Sequence, residues 1–208
     1  NMNDDTLFAR LKKFPKVDLH RHLEGSISPE TLSAIARKYG GDLPTTDPEQ
    51  LRRLIVMQYD TPGFRTFLEK FKIYRGFYPC REAVEDVAYT AVREAAEDGV
   101  KYLELRYSPS HFAAMGRFAE DDAIRWVHGA LQRAARDCDI IVIPLVTISR
   151  DYGFALAHAT VANVTALPPG FFYGLDLAGD EISNPARPFA PLFALAQARG
   201  LPLTIHAG

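Results

Sequence analysis

The sequence predicts an α/β fold in which parallel strands are joined by crossover helices. Strand-like and helix-like stretches alternate along the chain, and this alternation is typical of strands connected by helices. The strands begin near residues 17, 101, 140, 171 and 202, so the last three intervals, of 39, 31 and 31 residues, each hold one strand and one helix. Five strands leave two architectures open: a complete doubly wound sheet, or part of an eight-stranded barrel, which would need about 300 residues in all.

Helices are indicated by apolar residues at helical spacing and by residues that begin or end a helix. The first begins at Ser28 and Pro29 and ends at Gly40 and Gly41. A second begins at Arg81 and is closed by a glycine at position 99. Further helices are predicted over residues 119–137, 151–165 and 187–198.

The strands are apolar segments rich in β-branched and aromatic residues. After the first, VDLHRH, they read VKYLELRY, IIVIPLVTIS, FFYGLDLAG and PLTIHAG. The 84 residues between the first two strand starts exceed one helix, so we expect a helical insert over approximately residues 28–80, which includes the segment TFLEKFKIY. We expect the insert to lie over the carboxyl end of the first strand. Residues 1–208 show no repeat and no Pro- or Gly-rich boundary, which predicts a single domain.

Charge and composition exclude several classes of partner. The 208 residues carry 24 Lys and Arg against 26 Asp and Glu, without a basic block that could bind nucleic acid or an anionic membrane. The longest nearly apolar stretch, 140–148, is too short to span a bilayer. No apolar stretch near the N-terminus has the length of a signal peptide, and Cys80 and Cys138 form no disulfide framework. These features predict a cytoplasmic protein without a nucleic-acid or membrane partner; the oligomeric state stays open.

The first strand carries two histidines at the spacing of metal ligands. Asp18, His20 and His22 share one face, because side chains alternate along a strand. Residues two apart on a strand lie roughly 6 to 7 Å apart, so both imidazoles could reach one zinc ion. The alternative is a pair of hydrogen-bonded histidines at the end of a strand.

A catalytic zinc ion needs at least three protein ligands, and His206 is the best further candidate. It follows Thr204 on one face of the last strand, which leaves Leu203 and Ile205 to pack outward against helices. Considered alone, His206 would be read as a core histidine. The three histidines would converge at the carboxyl ends of the strands if the sheet curves into a barrel.

The remaining histidines and motifs are less informative. His128 and His158 lie in predicted helices, and His111 lies in the predicted loop after the second strand, where a pocket-lining role stays open. The sequence has no GxSxG, GxxxxGK[ST], GxGxxG or HExxH motif. Pro79 and Cys80 lack the second cysteine that the cytidine-type zinc deaminase signature requires.

Several segments together resemble one enzyme family. HRHLEGSISPETL, TFLEKFKIY, CREAVEDVAY, VKYLELRYSPS, GLDLAGDE and LTIHAG, in this order, resemble the adenosine deaminases of the amidohydrolase superfamily. The resemblance covers nearly the whole chain, and DLAGDE with HAG is its most specific part. It implies an amidohydrolase-type (β/α)8 TIM barrel, of which this chain supplies about the first five strands and the insert. It also implies one zinc ion per subunit and the hydrolytic deamination of adenosine or 2′-deoxyadenosine to the inosine product and ammonia.

The resemblance also implies roles for individual residues. The metal ligands would be His20, His22 and His206; the substrate-binding residues would be His22, Glu24 and Gly179; and the gate residues over the pocket would be Phe67, Leu68 and Phe71. Glu24 would bind the ribose 5′-hydroxyl, and Gly179 would contact the purine through its backbone. Simpler interpretations are a helix-entry contact for Glu24, a turn for Gly179 and helical core positions for the three gate residues.

The resemblance implies that three further catalytic or metal-binding residues of the family come after residue 208. The family's general acid, a glutamate, would come directly after Gly208, and an orienting histidine and a last metal-binding aspartate would follow. We therefore expect no catalytic acid within residues 1–208 and no activity of this piece alone.

The substrate also stays open, because Glu24 stands where many adenosine deaminases have aspartate and where adenine and aminodeoxyfutalosine deaminases often have glutamate. A catalytically dead purine-binding relative is a further alternative. So is a two-metal hydrolase of cyclic amides or phosphoesters, although IIVIPLVTIS lacks the bridging lysine or glutamate of such enzymes.

Overall fold

The computed structural model describes residues 4–58, 60, 63–75, 77–114 and 118–207. In this part of the chain the strands are β1 (Lys16–His22), β2 (Val100–Tyr107), β3 (Ile141–Ser149), β4 (Leu175–Ala178) and β5 (Leu203–Ile205). The α-helices are α1 (Asp4–Lys13), α2 (Pro29–Tyr39), α3 (Pro48–Ile55), α4 (Phe64–Arg75), α5 (Arg81–Glu97), α6 (Pro109–Ala114), α7 (Glu120–Asp137), α8 (Gly153–Ala166) and α9 (Ala190–Ala198).

The five strands form one parallel sheet in the order β1-β2-β3-β4-β5. Each strand therefore lies beside the next strand of the chain. A doubly wound sheet would reverse direction at a switch point, whereas consecutive order is the order of a (β/α)8 barrel. The sheet is a half-barrel, and it confirms the barrel over the doubly wound alternative.

The long helices cover the outer face of this sheet. α5 and α7 pack against each other, and they contact β2 and β3 respectively. Both helices bury small side chains completely, including Ala88 and Ala91 of α5 and Ala130 of α7. None of the helices in the described ranges combines the length and the apolar character that a membrane crossing requires.

The region between β1 and α5 contains α2, α3 and α4, where the sequence predicts the insert. Ser28 caps α2 by accepting a hydrogen bond from the Thr31 N–H, and Gly40 follows its last residue with a φ of 78°. α4 contacts the 3-10 turn Leu23–Gly25, which directly follows β1. The helix that carries the predicted gate residues therefore lies at the carboxyl end of the first strand.

The structure differs from the sequence prediction in three segments. The predicted loop after β2 is the short helix α6, because Pro109 fixes a helical φ and the Ser108 carbonyl accepts the His111 N–H. The predicted strand FFYGLDLAG becomes a regular strand only at β4, after Gly174 has passed close to Leu145. Helix α1 was not predicted. The predicted last segment PLTIHAG ends at Gly208, which lies outside the described residues.

The two edge strands expose apolar side chains on the outer face. Val17 and Leu19 of β1 are 65% and 57% exposed, and Ile205 of β5 is 46% exposed. The expectation that Ile205 packs against helices is therefore wrong for the described part of the chain, whereas Leu203 packs against the core. These side chains are exposed because β1 and β5 are the edge strands: within the described residues β1 pairs with β2 alone and β5 pairs with β4 alone.

Candidate active site

Three histidine side chains converge where β1 and β5 end. The Nε2 atom of His206 lies 2.8 Å from Nε2 of His20 and 2.9 Å from Nε2 of His22. In the described part of the chain these residues form the cluster that could hold a metal ion. His128 and His158, by contrast, lie on α7 and α8, outside the cluster.

A local irregularity of β1 presents His20 to the cluster. Asp18 pairs with Leu103 and Arg21 pairs with Leu105, so β1 advances by three residues where β2 advances by two. This is the geometry of a β-bulge, which re-aims side chains near functional sites. Asp18 stabilises the bulge, since its carboxylate accepts the His20 N–H at 3.0 Å and the Arg21 Nε–H at 2.8 Å.

A buried aspartate orients the ring of His206. Asp176 is fully buried on β4, and its carboxylate lies 3.1 Å from Nδ1 of His206 and accepts the Thr204 hydroxyl at 2.8 Å. Burial is the largest single influence and favours the neutral acid, but the hydrogen bond and charge of His206, the Thr204 hydroxyl and the charge of Arg106 together outweigh it and lower the pKa of Asp176. An ionised carboxylate only accepts hydrogen bonds, so Nδ1 of His206 carries the proton and Nε2 presents a lone pair.

The donor set fits a divalent metal ion. Desolvation lowers the pKa of His22 to about 4, and desolvation followed by the charge of Arg106 lowers the pKa of His20. Neutral imidazoles are the form that binds zinc. The single lone pair on Nε2 of His206 faces two other ring nitrogens at once, an arrangement that a cation shared by the three rings would satisfy.

A buried polar group lies next to the histidines. Glu24 is 3% exposed, and its Oε1 accepts the Ser108 N–H at 2.9 Å and lies 3.1 Å from Nδ1 of His111. Burial alone would raise the pKa of Glu24, but the hydrogen bonds from His111 and Ser108 help to lower it to about 2. The sequence left open whether His111 lines a pocket. In the structure its ring is buried on α6, and no described residue hydrogen-bonds its Nε2.

The loop after β4 contacts the site through a glycine, Gly179, which has no side chain. Gly179 has a φ of 110°, which is a conformation that disfavours any other residue. A Cβ atom on it would lie 3.0 Å from both carboxylate oxygens of Asp151. The same carboxylate accepts the Asp180 N–H at 2.9 Å. Asp151 therefore holds this loop against the end of β3.

The predicted gate residues lie on α4 over the histidines. The Phe71 ring is 6.1 Å from the His22 ring and 5.1 Å from the Phe67 ring, both edge to face. Phe67 is 44% exposed, so it is not a core residue. A Cβ atom on Gly25 would lie 3.0 Å from Cε1 of Phe71. The glycine that follows Glu24 thus allows α4 to approach the end of β1.

These features enclose one cavity of about 320 Å³. All eight residues predicted for the site line it: His20, His22, Glu24, Phe67, Leu68, Phe71, Gly179 and His206. Thr147, Ser149 and the His111 ring also contribute to its wall. None of the described residues that line it is a lysine or an arginine. A largely apolar wall with a few convergent polar groups is typical of a small-molecule site.

Sequence reasoning missed the supporting polar residues. Arg106 and Asp176 are almost completely buried, and Arg150, 2% exposed, donates to the His206 carbonyl at 2.6 Å. A signal was available, because Asp176 lies between two leucines in the short apolar strand LDLA, and Arg106 lies two residues after Glu104 in VKYLELRY. The period-two argument applied to β1 would have placed both on the inner face.

The fold and the site together define the first part of a (β/α)8 barrel, with three converging histidines at the carboxyl ends of its strands, as in the amidohydrolase type of barrel. The chain belongs to the adenosine deaminase family, which matches it over residues 15–208. An adenosine deaminase from Klebsiella pneumoniae is 33% identical over 194 residues, which are 93% of this chain. The chain spans 58% of the length of that relative.

Solved structures show the same architecture. An adenine deaminase from Arthrobacter aurescens is 25% identical with a TM-score of 0.78, and the match covers 93% of this chain and 57% of that one. An amidohydrolase from Burkholderia ambifaria, solved with bound Zn, is 22% identical with a TM-score of 0.86, over 100% of this chain and 56% of that one. The second likeness supports the fold alone.

Proposed function

We propose that the protein carrying this chain is a zinc-dependent hydrolase that removes the 6-amino group of adenosine or 2′-deoxyadenosine. The observation that carries the proposal is the convergence of His20, His22 and His206 at one end of a cavity of about 320 Å³. Family membership supports the reaction type, and the neutral imidazoles support the metal. The products would be inosine or 2′-deoxyinosine and ammonia.

In this reaction one water molecule is consumed, a C6–O bond forms, and the C6–N bond to the departing ammonia breaks. The three histidines would hold the ion, which when bound supplies hydroxide at neutral pH by lowering the pKa of water. The Gly179 backbone would contact the purine, and the Glu24 carboxylate would accept a hydrogen bond from a sugar hydroxyl. Phe67, Leu68 and Phe71 would exclude bulk water from the cavity.

The proposal concerns the complete protein. The resemblance assigns the general acid, an orienting histidine and a metal-binding aspartate to positions after residue 208, and the relatives are correspondingly longer than this chain. Residues 1–208 alone are therefore proposed to give no turnover.

Adenine is the second candidate substrate. The Arthrobacter aurescens structure is that of an adenine deaminase, and Glu24 is longer by one methylene than the aspartate of many adenosine deaminases. His111 and Ser108 already hydrogen-bond one of its oxygens, which favours a smaller ligand at this end of the cavity. Aminodeoxyfutalosine, whose substituent extends from the sugar, is the third candidate.

The experiment compares ammonia release by the zinc-loaded complete protein from adenosine, 2′-deoxyadenosine, adenine and aminodeoxyfutalosine. We expect the highest kcat/KM with a nucleoside. His20→Ala should remove both bound zinc and turnover, whereas His158→Ala, an exposed histidine on α8, should change neither. Release of ammonia from none of the four compounds would refute the proposal, and a preference for adenine would support the second candidate.

A further inference from the structure

A buried arginine connects the strands that carry the histidines. Arg106 lies on β2 and is 2% exposed. One of its terminal nitrogens donates to the Leu19 carbonyl at 2.8 Å, and the other lies 3.5 Å from Oδ1 of Asp176. Glu104 lies at the edge of ion-pair distance, 4.0 Å away. The guanidinium thus contacts β1 and β4 at the same time.

The contact on β1 falls within the bulge. Leu19 directly precedes His20, and both lie between Asp18 and Arg21, where the pairing of β1 with β2 shifts register. Bulge residues lose their regular partners in the sheet, so a carbonyl there needs another donor. Arg106 supplies it, and this fixes the backbone from which His20 projects.

The contact of Arg106 with Asp176 on β4 acts on His206. Asp176 accepts the Nδ1–H of His206, which determines the nitrogen that this ring presents to the cluster. The position of the carboxylate therefore determines the position of the ring. A guanidinium holds two hydrogen-bond donors at a fixed separation in one plane, which a lysine ammonium cannot do.

We propose that Arg106 is a positioning residue that sets the metal affinity of the cluster by fixing His20 through the Leu19 carbonyl and His206 through Asp176. The inference rests on the proposed metal site. The simpler explanation is that Arg106 only balances the buried charge of Asp176, in which case any buried cation would serve equally well.

The first test is Arg106→Lys in the complete protein, which keeps the charge and loses the planar pair of donors. Zinc dissociation constants are measured by chelator competition, and the melting temperature of the metal-free protein is measured alongside. We expect a dissociation constant about 10- to 100-fold higher, the range typical of lost outer contacts to metal ligands. Arg93→Lys, at an exposed arginine on α5, should leave the constant unchanged.

A second pair of variants covers the case in which Arg106→Lys does not fold. Asp176→Asn is compared with Asp176→Asn/Arg106→Gln, which leaves no unpaired charge in the interior. If Arg106 positions His20, the double variant should bind zinc at least about tenfold more weakly than Asp176→Asn. If it only balances charge, the double variant should bind as well as the single variant or better.

Two results separate this inference from the proposed function. Failure of the unsubstituted protein to bind zinc would overturn the proposed metal site. Normal zinc binding by that protein, together with an unchanged dissociation constant for folded Arg106→Lys, would overturn the role of Arg106 alone.

Discussion

Nδ1 of His206 lies 3.1 Å from the carboxylate of Asp176, and this single contact determines the nitrogen that His206 presents to the other two histidines. The carboxylate is buried and accepts hydrogen bonds, so the ring proton stays on the side of β4. Nε2 then faces His20 and His22 as a lone pair. Asp176, which is not one of the three clustered residues, thereby orients one of their rings.

The first prediction concerns this aspartate. Asp176→Asn should raise the zinc dissociation constant about 10- to 100-fold, because an amide orients the ring less strongly than a carboxylate does. Chelator competition measures the constant. Asp121→Asn, at an exposed position in the first turn of α7, is the matched control. Equal constants for the two variants would show that Asp176 does not support the site.

The second prediction concerns the approach of α4 to the end of β1. Gly25→Ala should displace the Phe71 ring, because the new Cβ atom would lie 3.0 Å from Cε1. Overpacking of this kind costs about 1 kcal/mol or more in unfolding free energy, and a displaced Phe71 ring should also lower the kcat/KM of the complete protein. Chemical denaturation and steady-state kinetics measure the two effects. Gly63→Ala, where the nearest atom would be 3.7 Å away, should be nearly neutral.

The third prediction separates two effects of a side chain at Gly179: backbone strain and a close contact with Asp151. Gly179→Ala combines a φ of 110° with contacts of 3.0 Å to Asp151, whereas Gly200→Ala has a φ of 75° and no atom within 4 Å. Strain costs about 1–3 kcal/mol of unfolding free energy at either position. In the complete protein only the first variant should also raise KM, since its loop borders the cavity. A normal KM for Gly179→Ala would remove this loop from substrate binding.

The fourth prediction is a pH dependence of stability that arises from Glu24. The pKa of Glu24 falls from 4.5 to about 2 on folding, so the unfolded chain binds more protons between these values. The charged carboxylate therefore contributes about 3 kcal/mol to the unfolding free energy above pH 4.5, and this contribution is lost as the pH falls towards 2.

Denaturation of the metal-free protein and of Glu24→Gln at several pH values tests this. The unsubstituted protein should be the more stable one at neutral pH, and the difference should shrink below pH 4.5. A difference that does not change with pH would contradict the low pKa.

The order of elements could be predicted because each depends on local sequence. Helix α2 follows from a cap at Ser28 and a stop at Gly40, and β3 follows from an apolar run of β-branched residues. The pair His20 and His22 is visible within three residues because strand geometry repeats every two residues. His206 follows from the need of a zinc ion for a third ligand and from its place at the end of the last strand. The resemblance to a family then added Gly179, Phe67, Leu68 and Phe71, which no local pattern joins to the histidines.

The contacts that arrange the site were decided by the tertiary structure alone. Arg106 reaches Leu19 across 87 positions of sequence, and His20 meets His206 across 186. The sequence by itself determined the order of the strands, the long helices between them and the histidine spacing, because these depend on neighbours along the chain. The bulge at His20, the Asp176 contact and the closeness of Phe71 to Gly25 depend on how the sheet curves and how α4 packs, and neither can be read from residues adjacent in sequence.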